Sequence, residues 1–322
     1  MNSFMSFGIH LACQRLDELG DPLSGLKSLI DWRHSIQSWK ESMITGRRKE
    51  GHPNYDEVLM IKILVLQHWY SLSDQKMELE MAKNISFMRF LDFQEDIPDS
   101  TTIWLFKERL KEKEVLNAIW QELQRQLDAK GLSVKEGCIQ DATLITSDPG
   151  RSGNKKRGDE AKTRRSKDGT WTKKGEEIYF GYKLHSKVDV RYGLVRAIET
   201  TTASVHDSQI DLSLKGETIY RDKGYFGVAA RGRSVTMYRA TRSHPLDRWD
   251  KLRNLQISRI RAPGERPFAV IKTVFKAAHV LVTTVQRVHI KIRSYAVEFQ
   301  NADLLKQIRQ LPLYSEQLSS FW

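Results

Sequence analysis

The segment IYFGYKLHSKVDV, residues 178–190, decides the fold of the second part of this chain. Tyr182, Leu184, Ser186 and Val188 stand at every second position. A period of two places these side chains on one face of an extended chain, which is typical of a β-strand. The segment is therefore predicted to be a strand of a sheet.

Three more strands are predicted around it. GCIQDATLITSD (137–148) precedes it, and LVRAIETTTAS (194–204) follows after a turn at residues 192–193. ETIYRD (217–222) comes last, after HDSQIDLSL (206–214), which is predicted to be a short helix or a loop. Neighbouring strands followed by a helix and a further strand favour a mixed domain of the α/β or α+β class.

The first part of the chain is predicted to be helical. Its apolar residues recur at helical spacing, and residues that cap helices stand at the boundaries. Ser24 is expected to cap the first helix, Ser100 or Thr101 a later one, and Gly131 to close the last. The predicted helical segments lie within residues 24–42, 54–74, 76–93, 99–113 and 115–131.

One of these helices, DSTTIWLFKERLKEK (99–113), has a basic side. Ile103, Phe106 and Leu110 are expected to face inward. The residues expected to face outward are Lys107, Arg109, Lys111 and Lys113. Several short helices ending in a capped, basic helix are typical of a helix-turn-helix DNA reader, and an ordinary helical bundle with a solvated basic face fits equally well.

The positive charge of the chain is concentrated in its second part. The chain has 52 Lys and Arg against 40 Asp and Glu, a net charge of +12. Residues 1–130 hold 17 basic and 20 acidic residues, so residues 131–322 hold the remaining 35 and 20, a net of +15. A field of this size and sign favours a polyanion, with nucleic acid as the default and acidic lipid or simple solubility as alternatives.

No segment is typical of a membrane protein. The longest apolar runs, such as VLMIKILVL (58–66), are interrupted by a charge at Lys62 and are much shorter than the ~20 residues of a membrane span. The N-terminus lacks a basic leader and a small-residue cleavage site, so no signal peptide is expected. Cys13 and Cys138 have no zinc-like spacing, which indicates a reduced, cytoplasmic protein.

Two aspartates lie in the predicted strands. Asp141 stands among apolar residues, where it loses hydration and needs compensation from a backbone amide, an arginine or a metal ion. Asp222 ends its strand, and functional residues collect at the ends of strands in α/β sheets. An aspartate just before Gly224 is also a common turn former, so the ordinary interpretation stays open for both.

A third carboxylate, Glu265, is the only acid in RIRAPGERPFAVIKTVFK (259–276). Pro263 and Gly264 are expected to break the chain before a helix that carries Glu265 in its first turn, where the helix dipole alone favours a carboxylate. The apolar stripe of this helix is predicted to be Phe268, Ile271 and Phe275.

Cations flank Glu265 on nearly the same helical face. Arg261 lies four residues before it, and Lys272 lies seven after, ~10.5 Å along a helix. One acid between cations fits a metal ligand beside phosphate contacts. The three carboxylates together fit Mg²⁺. A pair of these ions ~3.5–4 Å apart activates a water and stabilises the leaving oxygen in phosphoryl transfer.

The chain resembles the DDE transposases of bacterial insertion sequences, and specifically the group named for insertion sequence five. The segments that carry the resemblance are DSTTIWLFKERL, IQDATLI, YFGYKLH, ASVHDSQ, YRDKGYFG and RAPGERPFAVIK. The last is the most specific, because the wider family's pattern is Tyr, two residues, Arg, three residues, Glu, six residues, Lys. Arg261, Glu265 and Lys272 match at these intervals, whereas Ser258 replaces the Tyr.

The resemblance implies an RNase H-like catalytic domain at 131–322 and an all-helical domain at 1–130 that recognises DNA ends and dimerises. It implies that Asp141, Asp222 and Glu265 are catalytic and hold Mg²⁺ or Mn²⁺, as two ions. It implies metal-dependent strand cleavage and strand transfer on double-stranded DNA, at the terminal inverted repeats of a mobile element and at its target. A homodimer in the cytoplasm, associated with the nucleoid, is expected because transposition joins two ends.

The resemblance also implies backbone contacts for Arg261 and Lys272. Two basic segments, 151–174 and 231–259, are expected to be insertions that grip DNA, the first as a mobile loop. Further DNA-binding residues are expected to be Arg164, Arg165, Lys107 and Arg109.

Trp171, His185 and His206 each have two interpretations. Trp171 is expected to pack on its own domain, with stacking on an unpaired base as the alternative. The histidines are expected to be structural, although His206 stands beside Asp207 and is also placed to face a metal.

Three other functions stay open at this point. A non-catalytic helix-turn-helix regulator would need no metal, and the presence of three acids argues against it. A metal-dependent nuclease would cut DNA without joining it, so strand-transfer products distinguish the two. A nucleoid-packaging protein would bind DNA irrespective of its ends.

Overall fold

The structure is a computed structural model that describes residues 2–33, 55–112, 115–150, 165–242, 245–281, 284–293 and 296. The described residues fall into two compact units, and the chain passes from the first to the second between Gly131 and Leu132. No helix in these ranges is long and apolar enough to cross a membrane.

The first unit contains helices and no strand among its described residues. The helices are α1 (Asn2–Glu18), α2 (Pro22–Leu29), α3 (Glu57–Trp69), α4 (Asp74–Lys83), α5 (Ile85–Phe90), α6 (Ser100–Glu112) and α7 (Val115–Ala129). The prediction of one helix over 24–42 is wrong in its described part, because α2 ends at Leu29 and residues 30–33 are not helical. Residues 34–42 lie outside the described residues.

Helix α3 is buried on several sides, as its apolar sequence predicts. The residues it buries are Leu59, Met60, Lys62, Ile63, Leu64, Val65, Leu66 and Gln67. The charge of Lys62 is compensated by Asp92, whose carboxylate lies 2.6 Å from the ammonium nitrogen. A lysine can therefore lie in this apolar helix without an unpaired buried charge.

Two of the expected helix caps are wrong by one to three residues. Asp21 caps α2 in place of Ser24, and its carboxylate accepts the backbone N–H two residues on at 3.1 Å. Asp99 stands before α6 in place of Ser100 or Thr101 and accepts the N–H three residues on at 2.7 Å. A charged acceptor makes the stronger bond to the free amides of a helix start.

The interior positions predicted for α6 are confirmed. Ile103, Phe106 and Leu110 are all buried. After α7, Gly131 adopts a φ of +80°, a conformation that favours glycine, and closes the helix as predicted.

The second unit is built on a mixed sheet of seven strands. The strands are β1 (Cys138–Ser147), β2 (Thr170–Lys174), β3 (Glu177–Asp189), β4 (Val195–Thr202), β5 (Thr218–Arg221), β6 (Arg233–Thr236) and β7 (His279–Val280). The helices are α8 (Arg248–Arg261) and α9 (Glu265–Thr273), and residues 285–293 are also helical.

The two long strands β1 and β3 pair antiparallel along most of their length and form the centre of the sheet. The other edge of β3 pairs antiparallel with β2 at one end and with β4 at the other. The other edge of β1 pairs in parallel with β5 and β7, and β6 continues parallel to β5. Three antiparallel strands are thus followed by two parallel ones, in the order β4-β3-β1-β5-β6.

The alternation of β3 does not separate a buried face from a solvated one, because both faces are buried. The polar face of β3 carries two lysines that form ion pairs with carboxylates of the loop after β4. Lys183 Nζ lies 2.7 Å from the Asp207 carboxylate, and Lys187 Nζ lies 3.0 Å from that of Glu217. Each pair compensates charges that burial would otherwise leave unpaired.

The opposite face of β1 is covered by α9 and the turn before it. A Cβ on Gly264 would lie only 2.8 Å from the side chain of Ile139, so the backbone approaches the strand closely there. Lys272 Nζ donates to Thr143 Oγ1 at 2.5 Å. The three residues of the predicted apolar stripe, Phe268, Ile271 and Phe275, are buried. Only the first two belong to α9, which ends at Thr273, so the helix is shorter than predicted.

The first basic segment, 151–174, was predicted to be a mobile loop. The part of it that the structure describes ends in a strand. Residues 170–174 form β2 and pair with β3. Thr and Trp favour strands, and this local preference is obscured in the sequence by the surrounding lysines and arginines. Residues 151–164 lie outside the description.

The second basic segment, 231–259, contains β6 and most of α8, neither of which was predicted. Pro263 and Gly264 interrupt the α-helix before Glu265 as predicted, because a 3₁₀ turn, Ala262–Gly264, separates α8 from α9. Proline is tolerated there, since an N–H at the start of a turn has no partner to lose.

Gly181 is expected to be indispensable to the pairing of β1 with β3. It has a φ of +147°, and a Cβ there would lie 2.3 Å from the carbonyl oxygen of Ile145. We expect Gly181→Ala to lower the free energy of unfolding by about 3 kcal/mol, because backbone must move. The measurement is the midpoint of urea unfolding followed by far-ultraviolet circular dichroism.

Gly175→Ala is the matched control in the same hairpin. Gly175 has a φ of +62°, but a Cβ there would meet no atom within 4 Å. We expect this variant to lose only about 1 kcal/mol from backbone strain. Equal losses in the two variants would contradict the close contact at Gly181.

Candidate active site

Asp141 lies in the interior of β1, and its side chain is 19% exposed. One carboxylate oxygen accepts the backbone N–H of Ala142 at 2.8 Å. The other accepts from Arg261 Nη2 at 2.7 Å, and the Arg261 side chain is itself only 14% exposed. Of the compensations that the sequence allowed, the structure shows a backbone amide and an arginine.

Asp222 lies beside Asp141 at one edge of the sheet. The parallel ladder of β1 and β5 ends at the pair Ile139 and Tyr220, and each aspartate stands two residues beyond that pair. Asp222 also caps the short turn after β5, where its carboxylate accepts the N–H of Gly224 at 2.8 Å. Its expected roles at a strand end and in a turn are therefore both present.

Glu265 is the first residue of α9 and is exposed. The position of this helix start is set by Gly264, which packs against Ile139 on the face of β1 that also carries Asp141. The third carboxylate thus comes from a later helix to the same strand.

The charges of Glu265 and Asp222 act on Asp141. Burial raises the pKa of Asp141 to about 6, against the lowering effect of Arg261 and of the Ala142 amide. The negative charges of Glu265 and Asp222 also raise the pKa of Asp141. A carboxylate that is both buried and close to other carboxylates is a candidate functional group.

The donor set fits a hard divalent cation in its chemistry, because Mg²⁺ and Mn²⁺ prefer carboxylate oxygens. Across the described ranges, however, no group of three His, Cys, Asp or Glu side chains is arranged to hold a metal as it stands. The ion pair of Asp141 with Arg261 explains part of this, since the guanidinium occupies one oxygen that a metal would use.

Arg261 and Lys272, which are expected to contact the DNA backbone, both direct their side chains at β1. Arg261 binds Asp141, and its Nη1 also lies 3.8 Å from Met237 Sδ. Lys272 is partly buried, and burial followed by the nearby charge of Lys174 lowers its pKa. Both side chains therefore border the carboxylates rather than extend into solvent.

The other expected DNA-binding residues are dispersed. Lys107 forms an ion pair with Asp74 within the first unit, and Arg109 is exposed. Arg165 Nε lies 3.6 Å from the Asp148 carboxylate. Arg164 lies outside the described residues.

The residues with two interpretations differ in their surroundings. His185 is fully buried, and its Nε2 lies 3.0 Å from Thr201 Oγ1, which supports a structural role. His206 is exposed and caps a 3₁₀ turn with Nδ1 2.7 Å from Ser208 Oγ. The Trp171 ring packs 5.1 Å from that of Phe180 and is still 55% exposed.

Arg221 is a residue that the sequence analysis missed. It is fully buried directly before Asp222, and its Nη2 donates to Val228 O at 2.9 Å and to Ser234 Oγ at 2.8 Å. Its guanidinium carbon lies 5.3 Å from the centre of the Tyr225 ring. An arginine in a strand followed by an aromatic residue four positions later is the signal that would have found it.

Comparison with known families identifies the family of this chain. Residues 132–297, more than half of the chain, match the family model described as Transposase DDE domain. The chain belongs to the DDE transposases. Residues 12–109 match a second family model, described as Transposase domain (DUF772). Membership of the group named for insertion sequence five stays a prediction.

A solved structure similar to this transposase is the piggyBac transposase synaptic complex with hairpin DNA. The two chains are 10% identical, and the match covers 87% of this chain and 75% of the other, with a TM-score of 0.37. The likeness is too distant to assign residues.

Gly264→Ala is expected to damage the site without unfolding the chain. The new Cβ would meet the buried Ile139 side chain, so the start of α9 must move and take Glu265 with it. We expect metal-dependent cleavage of the element's end to fall about 100-fold, the usual effect of misplacing a catalytic group by an ångström. Gel-resolved cleavage in Mn²⁺ is the measurement.

The double variant with Ile139→Ala and Gly264→Ala is the matched control. It removes the methyl group that the new Cβ would meet, so cleavage should recover relative to Gly264→Ala alone. Wild-type cleavage by the single variant would show that Gly264 does not position Glu265.

The burial of His185 predicts a pH-dependent stability. Burial lowers its pKa to about 4, below the value near 6.5 expected when unfolded. The unfolded state therefore binds more protons between pH 6.5 and 4, and stability is complete above that window and falls as the pH drops through it. We expect His185 to account for a loss of about 2 kcal/mol between pH 7 and pH 4.5, measured from urea midpoints at the two pH values.

His185→Gln should reduce this pH dependence, because glutamine does not titrate. Burial also lowers the pKa of His289 to about 4. His289 should therefore still contribute its own part of the pH dependence in this variant. An unchanged dependence in the variant would contradict the assignment to His185.

Proposed function

We propose that this DDE transposase binds the terminal inverted repeats of a bacterial insertion sequence, cuts the DNA there and joins the freed end to a target. The observation that supports the proposal is that Asp141 and Asp222 each stand two residues beyond the last pair of the β1–β5 ladder, while the turn before Glu265 packs on β1. Burial and the two neighbouring carboxylates together raise the pKa of Asp141, so the group favours a bound cation.

We further propose that the second unit is an RNase H-like domain. Its order of three antiparallel strands followed by two parallel ones supports this, with Asp141 on the first strand and Asp222 after the first parallel one. The helical first unit, matched by the second transposase model, is proposed to recognise DNA ends and to dimerise.

Asp141, Asp222 and Glu265 would hold Mg²⁺ or Mn²⁺, as two ions. Such ions supply Lewis-acid activation of a water and of the phosphodiester. Asp141 would exchange Arg261 for metal at one oxygen, which releases the guanidinium toward the phosphate backbone. Lys272, held at Thr143 beside the carboxylates, would place its charge near the same backbone.

The chemistry proceeds by two displacements at phosphorus. In the first, water attacks the phosphodiester at the element's end, the bond to the 3′ oxygen breaks, and a 3′-hydroxyl is freed. In the second, that hydroxyl attacks the target strand, one phosphodiester forms and one breaks. No protein nucleophile is required, so no covalent protein–DNA bond is expected.

The assay that tests this function uses labelled DNA carrying the element's own end, together with a target plasmid and Mn²⁺. We expect cleavage at the end and a slower-migrating strand-transfer product. Asp141→Asn, Asp222→Asn and Glu265→Gln should each reduce both products by at least about 1,000-fold, because each removes a ligand charge at the reacting phosphate.

Glu199→Gln is the matched control, an acid of the same sheet placed on β4 and outside the three-carboxylate group. It should cut and join at close to the wild-type rate. Cleavage without transfer would identify a nuclease. Tight, metal-independent binding without cleavage by the wild type would identify a DNA-binding regulator or packaging protein instead.

A further inference from the structure

An exposed aromatic cluster, formed by Phe226, Tyr238 and Arg253, has no part in the site described above. The Phe226 and Tyr238 rings meet edge to face at 6.1 Å between centres. The guanidinium of Arg253 lies over the Tyr238 ring, 4.1 Å from its centre. Phe226 is 44% exposed and Tyr238 is 38% exposed, so the cluster presents flat groups to solvent.

The cluster lies at the same end of the parallel strands β5 and β6 as Asp222. Phe226 follows Asp222 by four residues, at the end of the turn that Asp222 caps. Tyr238 stands two residues beyond β6, whose ladder with β5 ends at the pair of Arg221 and Thr236. Asp222 and Tyr238 thus extend past the same end of neighbouring parallel strands.

A contact chain links the cluster to Asp141. Met237, next to Tyr238, has its sulfur 3.8 Å from Arg261, and Arg261 binds the Asp141 carboxylate. The rings and the carboxylates are thus connected through Met237 and Arg261 at one end of the parallel strands.

The exposed faces of the Phe226 and Tyr238 rings form none of the hydrogen bonds that hold this part of the chain. The polar bonds that hold Tyr238 are made by its backbone, whose N–H donates to Asn254 Oδ1 at 2.8 Å and whose carbonyl accepts from Asn254 Nδ2 at 3.0 Å. Arg253 is fixed by donating to the Thr236 carbonyl at 2.9 Å. Its guanidinium is thus pre-positioned on the ring rather than free to turn away.

The chemistry of the cluster matches an unpaired nucleobase. Aromatic rings and guanidinium planes stack on the flat face of any base, and the cation also suits the attached phosphate. The residues that follow Asp222 and Tyr238 add exposed positive charge at Lys223 and Arg239. Paired bases inside a duplex offer no such face.

We propose that Phe226, Tyr238 and Arg253 form a stacking platform for an unpaired base beside the phosphodiester that is cut. This inference rests on the proposed function of the carboxylate site. The cluster would position the DNA strand. It would bind the unpaired base irrespective of which base it is.

The test uses two duplexes of the element's end, one fully paired and one with a single unpaired 2-aminopurine beside the cleavage position. We expect the wild type to quench the 2-aminopurine fluorescence and to bind this duplex roughly 10-fold more tightly than the paired one. Phe226→Ala and Tyr238→Ala should lose the quenching and the preference while they bind the paired duplex normally. Tyr238→Phe should retain both, because it keeps the ring.

Trp171→Ala is the control, since Trp171 is an exposed aromatic of the same unit with its own partner, Phe180. It should behave as wild type. Loss of quenching in Trp171→Ala alone would move the stacking site to β2 and overturn the proposal. Unchanged quenching in both cluster variants, with urea midpoints confirming that all variants are folded, would overturn it as well.

The two proposals fail in different ways. A wild type that cuts the paired end in Mn²⁺ but shows no preference for the unpaired base contradicts the platform alone. A wild type that neither binds nor cuts the paired end contradicts the proposed function and, with it, the platform.

Discussion

A carboxylate in the interior of a central strand is the constraint on which the second unit depends. Asp141 loses most of its hydration, and a buried charge without compensation would cost several kcal/mol. Arg261 supplies the compensation at 2.7 Å, and this fixes the end of α8 against β1. The 3₁₀ turn that follows is close-packed through Gly264, so α9 begins with Glu265 at the same strand. The ion pair and the third carboxylate are therefore placed by one continuous stretch of chain.

Compensation of buried charge recurs on the other face of the sheet. Lys187 is paired with Glu217 and Lys183 with Asp207, so the loop that connects β4 to β5 is held over the sheet by charge as well as by apolar contact. Arg221 extends the same principle to β5, where carbonyl and hydroxyl oxygens and an aromatic ring receive its guanidinium. A different register would separate the paired lysines and carboxylates, which favours the observed register around Asp141 and Asp222.

Much of the fold was readable from the sequence because its strong signals are local. The period of two in β3, the apolar run of α3 and the stripe of α9 each reflect the burial of one face or of a whole element. The strand β2 and the helix α8 were missed because their basic residues hide the pattern, and the pairing that stabilises β2 comes from a distant strand. The three carboxylates were predicted as a group, although only the fold brings their charges close enough to raise the pKa of Asp141. The partner of Asp141 was not predicted, since Arg261 was expected to contact DNA.

That difference bears on how the site works. Arg261 donates to Asp141 through Nη2, so a phosphate at the site would compete with this carboxylate for the same guanidinium. A divalent cation at Asp141 would satisfy the carboxylate and free the arginine, and an incoming phosphate would favour the same exchange from the other side. With metal and DNA bound as proposed above, their binding would be coupled through this side chain, because each would make the other less costly. The family pattern that spaces the arginine four residues before the glutamate fits this coupling, since it places the cation and the third carboxylate on adjoining turns of one helical segment.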